Sequence, residues 1–258
     1  MEIGLTVGDS IDRIDATASG FEFVEFGLAE AADVPERIDA DRLRQVLDAR
    51  DVDFYVHLPF EQDVATPVPE INEAIVAYQR RLLEWAGDLG ARKAVLHGAV
   101  RDPHDTDLRP TIVEQLSAIT EVGSDAGVEV VVENVGHQRR GLQLSVLGRL
   151  AREAGASVCF DVGHAYMEDG GDGIARFTRE YGDLISHLHV HDARSRGDTH
   201  LPIGAGEIGY EEVGERLDGF DGTVAVEVFT DDVPLLRDTA RRAAVALGTD
   251  WSVDRSES

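Results

Sequence analysis

The 258-residue sequence contains one cysteine, Cys159, and one lysine, Lys93. A single cysteine excludes an intramolecular disulfide, so compartment cannot be read from disulfide usage. No run of 18 apolar residues is present, which excludes a transmembrane helix. The start, Met1-Glu2-Ile3-Gly4, lacks a basic stretch followed by an apolar one. No secretory signal peptide is read there, and a cytoplasmic location is the expectation. Cations are scarce: Lys plus Arg number 24 against 50 Asp plus Glu, for a formal net charge of −26. That balance argues against strong nucleic-acid binding, because phosphate contacts need clustered Lys and Arg. The acids form no long block. Spread over a whole fold, they predict a hydrated surface suited to high salt, where screening removes self-repulsion. There is no low-complexity segment, no Pro/Gly/Ser linker and no close repeat. No Gly-x-Gly-x-x-Gly follows the first strand, so a dinucleotide site has no support.

What is present is a steady alternation of strands and helices. Short β-branched and apolar runs predict strands at Glu2–Val7, Phe21–Phe26, Asp53–His57, Lys93–His97, Val128–Glu133, Ser157–Asp161, Leu184–His191 and Thr223–Val228. Helical patterns fill the gaps at Ala40–Ala49, Glu70–Leu89, Thr111–Ala126, Leu142–Ala154, Gly173–Tyr181, Tyr210–Leu217 and Val233–Leu247, with a short capped candidate in Ser10–Ser19. In Glu70–Leu89, Ile71, Ile75, Tyr78, Leu82, Trp85 and Leu89 share one face and predict the buried stripe. Strands apolar on both faces belong in a parallel sheet covered by helices. Eight βα units in roughly 250 residues predict an α/β fold of the (β/α)₈ TIM-barrel type, as a single domain over residues 1–248 with a polar tail over 249–258. An open doubly wound sheet is the second architecture that fits.

The polar residues fall at the strand ends. Strand 3 ends at His57, strand 4 at His97, strand 5 at Glu133 and strand 6 at Asp161, with His164 just beyond; strand 7 carries His189 and strand 8 carries Glu227. In a barrel these C-terminal ends converge on one rim, where active sites of the fold lie. Carboxylates directed into an apolar barrel mouth are costly without cations to pair with. His with Asp and Glu suits Zn²⁺, Mn²⁺ or Co²⁺ better than Ca²⁺. His187, His189 and His191 alternate along one face of strand 7. His189 has the depth of a ligand, His187 that of a packed core residue, and His191 is expected on the rim. The following loop carries Asp198-Thr199-His200, two ligand types two residues apart, and then Gly204-Ala205-Gly206. His104 and His137 are expected on the surface, and Cys159 as a small packed hydrophobe. Glu25 closes strand 2. Arg194 is either a solvated cation or a group that binds a substrate phosphate or hydroxyl.

The segments Val132-Glu133-Asn134, Phe160-Asp161-Val162-Gly163-His164-Ala165, His189-Val190-His191-Asp192 and Asp198-Thr199-His200 with Gly204-Ala205-Gly206 together resemble the xylose isomerase-like barrel superfamily. It contains sugar and sugar-phosphate isomerases and epimerases, and endonuclease IV-type AP endonucleases. The isomerase branch implies one catalytic metal on Glu133, Asp161, His189 and Glu227. Glu133 and Glu227 would exchange a proton next to a carbonyl, with His164, Arg194 and Glu25 contacting substrate. The endonuclease branch implies three zinc ions on His57, His97, Glu133, Asp161, His164, His189, Asp198, His200 and Glu227. The resemblance therefore implies one to three divalent ions per chain. The sequence lacks the Gly-x-His-x-Ser start of the nuclease branch, and reads His97-Gly98-Ala99 where that branch has His-Pro-Gly-Ser-His. Its Leu58–Asp63 segment is acidic, and Phe23-Val24-Glu25 looks like the isomerase side. These features favour a sugar or sugar phosphate as partner over nucleic acid. A barrel that binds without turnover is disfavoured by the presence of both Glu133 and Glu227.

Overall fold

The computed structural model describes residues 1–136, 140–195 and 197–251. His137 and the end of the polar tail lie outside the described residues. The first half runs β1 (Glu2–Gly8), α1 (Ile11–Thr17), β2 (Phe23–Gly27), α2 (Ala40–Arg50), β3 (Asp53–His57), α3 (Pro69–Asp88), β4 (Lys93–His97), α4 (Arg109–Asp125) and β5 (Glu129–Glu133). The second half continues α5 (Leu144–Ala154), β6 (Ser157–Asp161), α6 (Val162–Tyr181), β7 (Ile185–Val190), β8 (Asp192–Arg194), β9 (Gly197–Leu201), α7 (Tyr210–Arg216), β10 (Thr223–Val226) and α8 (Val233–Ala246). Eight strands close in the order β1-β10-β7-β6-β5-β4-β3-β2, parallel throughout, which excludes the open sheet and makes the fold a (β/α)₈ barrel.

The side chains that suit strands on both faces place the core between the sheet and the helix ring. Ile3, Leu5, Val24, Val56, Val132, Phe160 and Leu188 are fully buried in this layer. Inside the barrel, Phe23 stacks on Tyr55 at 4.1 Å beneath the polar floor of the site. No helix among the described residues is long and apolar enough to cross a membrane.

Three elements depart from the sequence expectation. In α3, Ile75, Tyr78, Leu82, Trp85 and Leu89 face the core as the period predicts, but Ile71 is exposed, and Asn72 and Gln79 are buried beside them. Asn72 exchanges hydrogen bonds with the backbone of Thr66 at 2.8 and 2.9 Å, tying the preceding loop to the helix. Helix α6 begins at Val162, not Gly173. Asp161 caps it by accepting from the His164 N–H at 2.6 Å, and the helix is broken only at Gly170, where φ is 63°. The segment after strand 7 is not a plain loop: β8 and β9 pair as an antiparallel hairpin over the barrel mouth.

Candidate metal and active site

The ends of β3 to β7, the first turn of α6, the segment after β10 and the β8–β9 hairpin bring nine donors together around one cavity. Parallel pairing sets their depth. His97 is in register with Glu133, and Asp161 with His189. The cavity has a volume of about 440 Å³, and its walls include Glu25, His57, His97, Glu133, His164, Asp198, His200 and Glu227. Phe60 and Phe229 stand at its mouth, both exposed.

These nine fall into three groups, within each of which the ligand atoms lie no more than 4.8 Å apart; His191 joins the hairpin group, and Cys159, His187 and His189 make a fourth cluster. His57 and His97 present Nε2 to Glu133 Oε2 at 3.2 and 3.1 Å. At the centre, His189 Nδ1 faces Glu133 Oε1 at 3.4 Å, Glu227 Oε2 at 3.3 Å and Asp161 Oδ2 at 3.9 Å. At the hairpin, Asp198 lies 3.4 Å from His164 Nε2 and 3.0 Å from His200 Nδ1, and His200 Nε2 lies 3.4 Å from Glu227.

Backbone carbonyls set which ring nitrogen faces the carboxylates. His57 Nδ1 donates to Leu58 O at 2.9 Å, His97 Nδ1 to Phe60 O at 3.1 Å and His164 Nδ1 to Asn134 O at 3.1 Å. His57 and His97 thereby turn Nε2 to Glu133, and His164 turns Nε2 to Asp198 while its Nδ1 also lies 3.3 Å from Asp161. Among the described residues, His164 Nε2, His189 Nδ1 and Glu227 Oε2 are buried with only the ion-pair contacts given above, at 3.3 Å or more. Two ligand atoms each about 2.1 Å from one ion, at a near-tetrahedral angle, stand about 3.4 Å apart. The observed separations match that spacing, so the residues fit a divalent metal.

The same contacts set the charge states of the metal-free protein. Burial opposes charge on His57, but the Glu133 carboxylate outweighs it and lifts the ring to about 9. His200, likewise opposed by burial, is lifted to about 10 by Asp198 and Glu227. Burial pushes Glu133 and Glu227 up, but the surrounding histidines hold both well below the usual carboxylate range. On His57 and His200 the added proton offsets the carboxylate charge that a metal ion would otherwise offset, while burial pushes His97 down.

Two residues not assigned a role from sequence build the frame. Asn134 clamps β5 to β6, donating to Asp161 O at 2.9 Å and accepting from Asp161 N–H at 2.8 Å. His191 is fully buried, and its ring joins His164, Asp198 and His200 in the hairpin group at the rim. Strand pairing stops at Val190, and the ring turns beneath α6 to meet Asp161 Oδ1 at 3.2 Å. It stacks on His200 at 4.2 Å, and Phe229 covers the His200 ring at 4.3 Å. This packing holds His200 at φ 42°, a left-handed backbone that a non-glycine residue adopts at a cost. Gly163 makes room for His191: a Cβ there would stand 2.1 Å from the ring. Gly163→Ala is expected to displace His191 and Asp161 together, lowering metal content and the melting temperature. A metal-loaded Gly163→Ala protein melting like the wild type would contradict this.

His187 is buried, with Nδ1 at 2.7 Å from Thr223 Oγ1 and Nε2 at 3.1 Å from Glu25 Oε2. Burial pushes the Cys159 thiol up, as befits a packed residue. His104 is exposed. Arg194 is exposed on the hairpin, where its guanidinium donates to Ala205 O at 3.2 Å, and it is not part of the cavity lining. Glu25 lies at the cavity floor under His189.

The fold is shared with a D-tagatose 3-epimerase-like protein, 21% identical, with a TM-score of 0.75 over 96% of this chain and 97% of the other. D-psicose 3-epimerase from Clostridium cellulolyticum H10 is 20% identical, with a TM-score of 0.70 over 96% of this chain and 97% of that one. Among sequences, an uncharacterised protein of Methanocaldococcus jannaschii is 27% identical over 72% of this chain and 67% of its own length. A probable endonuclease 4 of Mycobacterium leprae is 26% identical over 82% of this chain and 86% of its own length. Residues 14–252 match the model of one family, and the chain belongs to it: the xylose isomerase-like TIM barrels.

Proposed function

We propose that this chain is a divalent-metal-dependent sugar isomerase or epimerase, with Glu133 and Glu227 as the proton-transfer pair. The observation that carries the reading is the central group. Glu133, Asp161, His189 and Glu227 converge within 4.8 Å at a cavity whose described lining contains no Lys or Arg. Two carboxylates reach one small site from strand ends separated by two others in the barrel. This is what removing a proton beside a carbonyl and returning it requires. A bound Zn²⁺, Mn²⁺ or Co²⁺ would supply Lewis acidity, polarising substrate oxygens and stabilising developing negative charge. Glu133 and Glu227 hold and move the proton. His164 orients a hydroxyl, and Phe60 and Phe229 limit access of water at the mouth. The sugar-epimerase names among the structural neighbours accord with this reading. Incubation with ketoses and aldoses in D₂O tests it. Deuterium is expected at the carbon next to the carbonyl, and its absence across the panel would defeat the assignment.

A second reading, a three-zinc phosphodiesterase of the endonuclease 4 kind, is favoured by one observation: all nine donors form three contiguous groups. The acidic lining opposes it, since a DNA backbone needs cationic contacts. Elemental analysis of protein purified without chelator separates the two. About one metal per chain supports the epimerase, and about three directs attention to cleavage of abasic DNA.

Metal binding must displace protons, so affinity is expected to rise with pH. His57 and His200, at about 9 and about 10 when metal-free, are charged at neutral pH and must lose their protons to become ligands. Folded-state values raised above the unfolded 6.5 stabilise the metal-free protein fully below about pH 6.5, and that contribution is lost through pH 9–10. The gain in melting temperature on adding Zn²⁺ should therefore be larger at pH 9 than at pH 6.5. A gain independent of pH would show that these histidines do not bind the ion.

We propose further that the net charge of −26 is an adaptation to salt and that the protein is cytoplasmic. The melting temperature should rise between low and multimolar KCl as repulsion is screened. A higher melting temperature at low salt would refute it.

A further inference from the structure

Glu25 is a buried acid on β2 that belongs to none of the three donor groups. It lies in register with Thr6 of β1 and Tyr55 of β3, which points it to the barrel interior below the ring of donors. One of its oxygens, Oε2, meets His189 Nε2 and His187 Nε2, each at 3.1 Å. A carboxylate only accepts, so His189 must carry its proton on Nε2 to make this contact. That leaves Nδ1, on the far edge of the ring, to face Glu133, Asp161 and Glu227.

We infer that Glu25 is a positioning residue that fixes the tautomer and ring orientation of His189, so that Nδ1 is the atom offered to the metal. The inference rests on the metal-site reading above and assigns Glu25 a role in place of the substrate contact suggested by its sequence position. His187 is the brace. Its Nδ1 contact to Thr223 Oγ1 anchors the ring to β10, and its Nε2 holds the Glu25 oxygen in place. Without an acceptor at that point, Nε2 would be buried and unpaired, and the ring would be free to exchange its two nitrogens. Carboxylate partners of this kind raise ligand basicity as well as setting orientation. Burial alone would push the Glu25 carboxyl up, yet His189 and His187 hold it at about 2, so it is charged throughout the working range.

The test is Zn²⁺ affinity, measured by chelator competition on full-length Glu25→Gln and Glu25→Ala proteins, with the visible spectrum of the Co²⁺-loaded forms as a second readout. Gln keeps the shape and one acceptor but loses the charge. Ala removes the acceptor. Glu25→Gln is expected to melt near the wild type when metal-free and to bind Zn²⁺ about 10-fold more weakly, and Glu25→Ala about 100-fold more weakly. The Co²⁺ bands should shift in both. Wild-type affinity and an unshifted spectrum in Glu25→Gln would overturn the inference. So would a raised KM with unchanged affinity, which would make Glu25 a substrate contact. Zn²⁺ affinity and the Co²⁺ spectrum need no sugar. Weakened Zn²⁺ binding in a protein that turns over no sugar sinks the proposed function but not the role of Glu25. Unchanged affinity in an active epimerase does the reverse. A wild-type protein that binds no Zn²⁺ overturns both.

Discussion

Glu227→Gln is expected to lower turnover by at least about 10³-fold at saturating metal, because general acid–base chemistry alone contributes roughly 10²–10⁴-fold. Glu227 serves twice in the proposed mechanism. Its Oε2 faces His189 Nδ1 at 3.3 Å and His200 Nε2 at 3.4 Å, so it joins the central group to the hairpin. It is also one of the two groups able to take a proton from substrate. Gln fills the same volume, so the cavity keeps its shape, but an amide has no basic oxygen. Metal affinity should fall as well, because a neutral ligand replaces a charged one. Measuring kcat across a metal titration separates the two effects. Loss that metal restores would mean that Glu227 only binds the ion. Loss that persists at saturation is the expected outcome. Turnover within tenfold of the wild type at every metal concentration would remove Glu227 from the mechanism.

The barrel is legible in the sequence because its code is local. Runs such as Val130-Val131-Val132 are apolar on both faces and occur at regular spacing, and all eight barrel strands lie within a few residues of where that pattern puts them. Donor convergence is legible for a related reason: once the strands are parallel, their C-terminal ends share a rim, and His57, His97, Glu133 and Asp161 are all strand ends. What escapes is set by contacts distant in sequence. Alternation gives the place of His191 but not its partners: the strand ends one residue earlier, at Val190, and the ring meets Asp161 and His200. Hydrophobic periodicity finds the core-facing side of α3 but misses its polar edge, where buried Asn72 accepts from Thr66 N–H and buried Gln79 donates to Gln62. The role of Glu25 depends on two histidines more than 160 positions away. Its strand-end position is visible, but its partners are not.

The hairpin that carries Asp198 and His200 depends on one carboxylate, and Asp192→Asn is expected to release it. Asp192 is buried at the start of β8 and accepts four backbone N–H groups. Oδ1 takes Ala193 at 2.9 Å and Ile208 at 3.1 Å, and Oδ2 takes Gly204 at 2.8 Å and Gly206 at 2.9 Å. The loop from 202 to 208 is folded around this side chain, so closely that a Cβ on Gly206 would stand 2.2 Å from Oδ1. Only an ionised carboxylate presents two acceptors and no donor. In Asn, whichever way the amide is turned, an NH₂ group faces two N–H donors. Two donors are left unpaired, either the buried pair of Ala193 and Ile208 or the part-buried pair of Gly204 and Gly206, and each buried one would cost about 1–3 kcal/mol of a total stability of about 5–15 kcal/mol. The loop is near the surface and can open locally, so the loss should appear there before global unfolding. Amide exchange at Gly204, Gly206 and Ile208 is expected to accelerate, and metal content to fall as His200 and Asp198 leave the cavity. Asp192→Asn should be nearly as damaging as Asp192→Ala, although it is the more conservative change. Slow exchange at those three amides in the Asn protein would mean that the hairpin holds its place through the His191–His200–Phe229 stack alone.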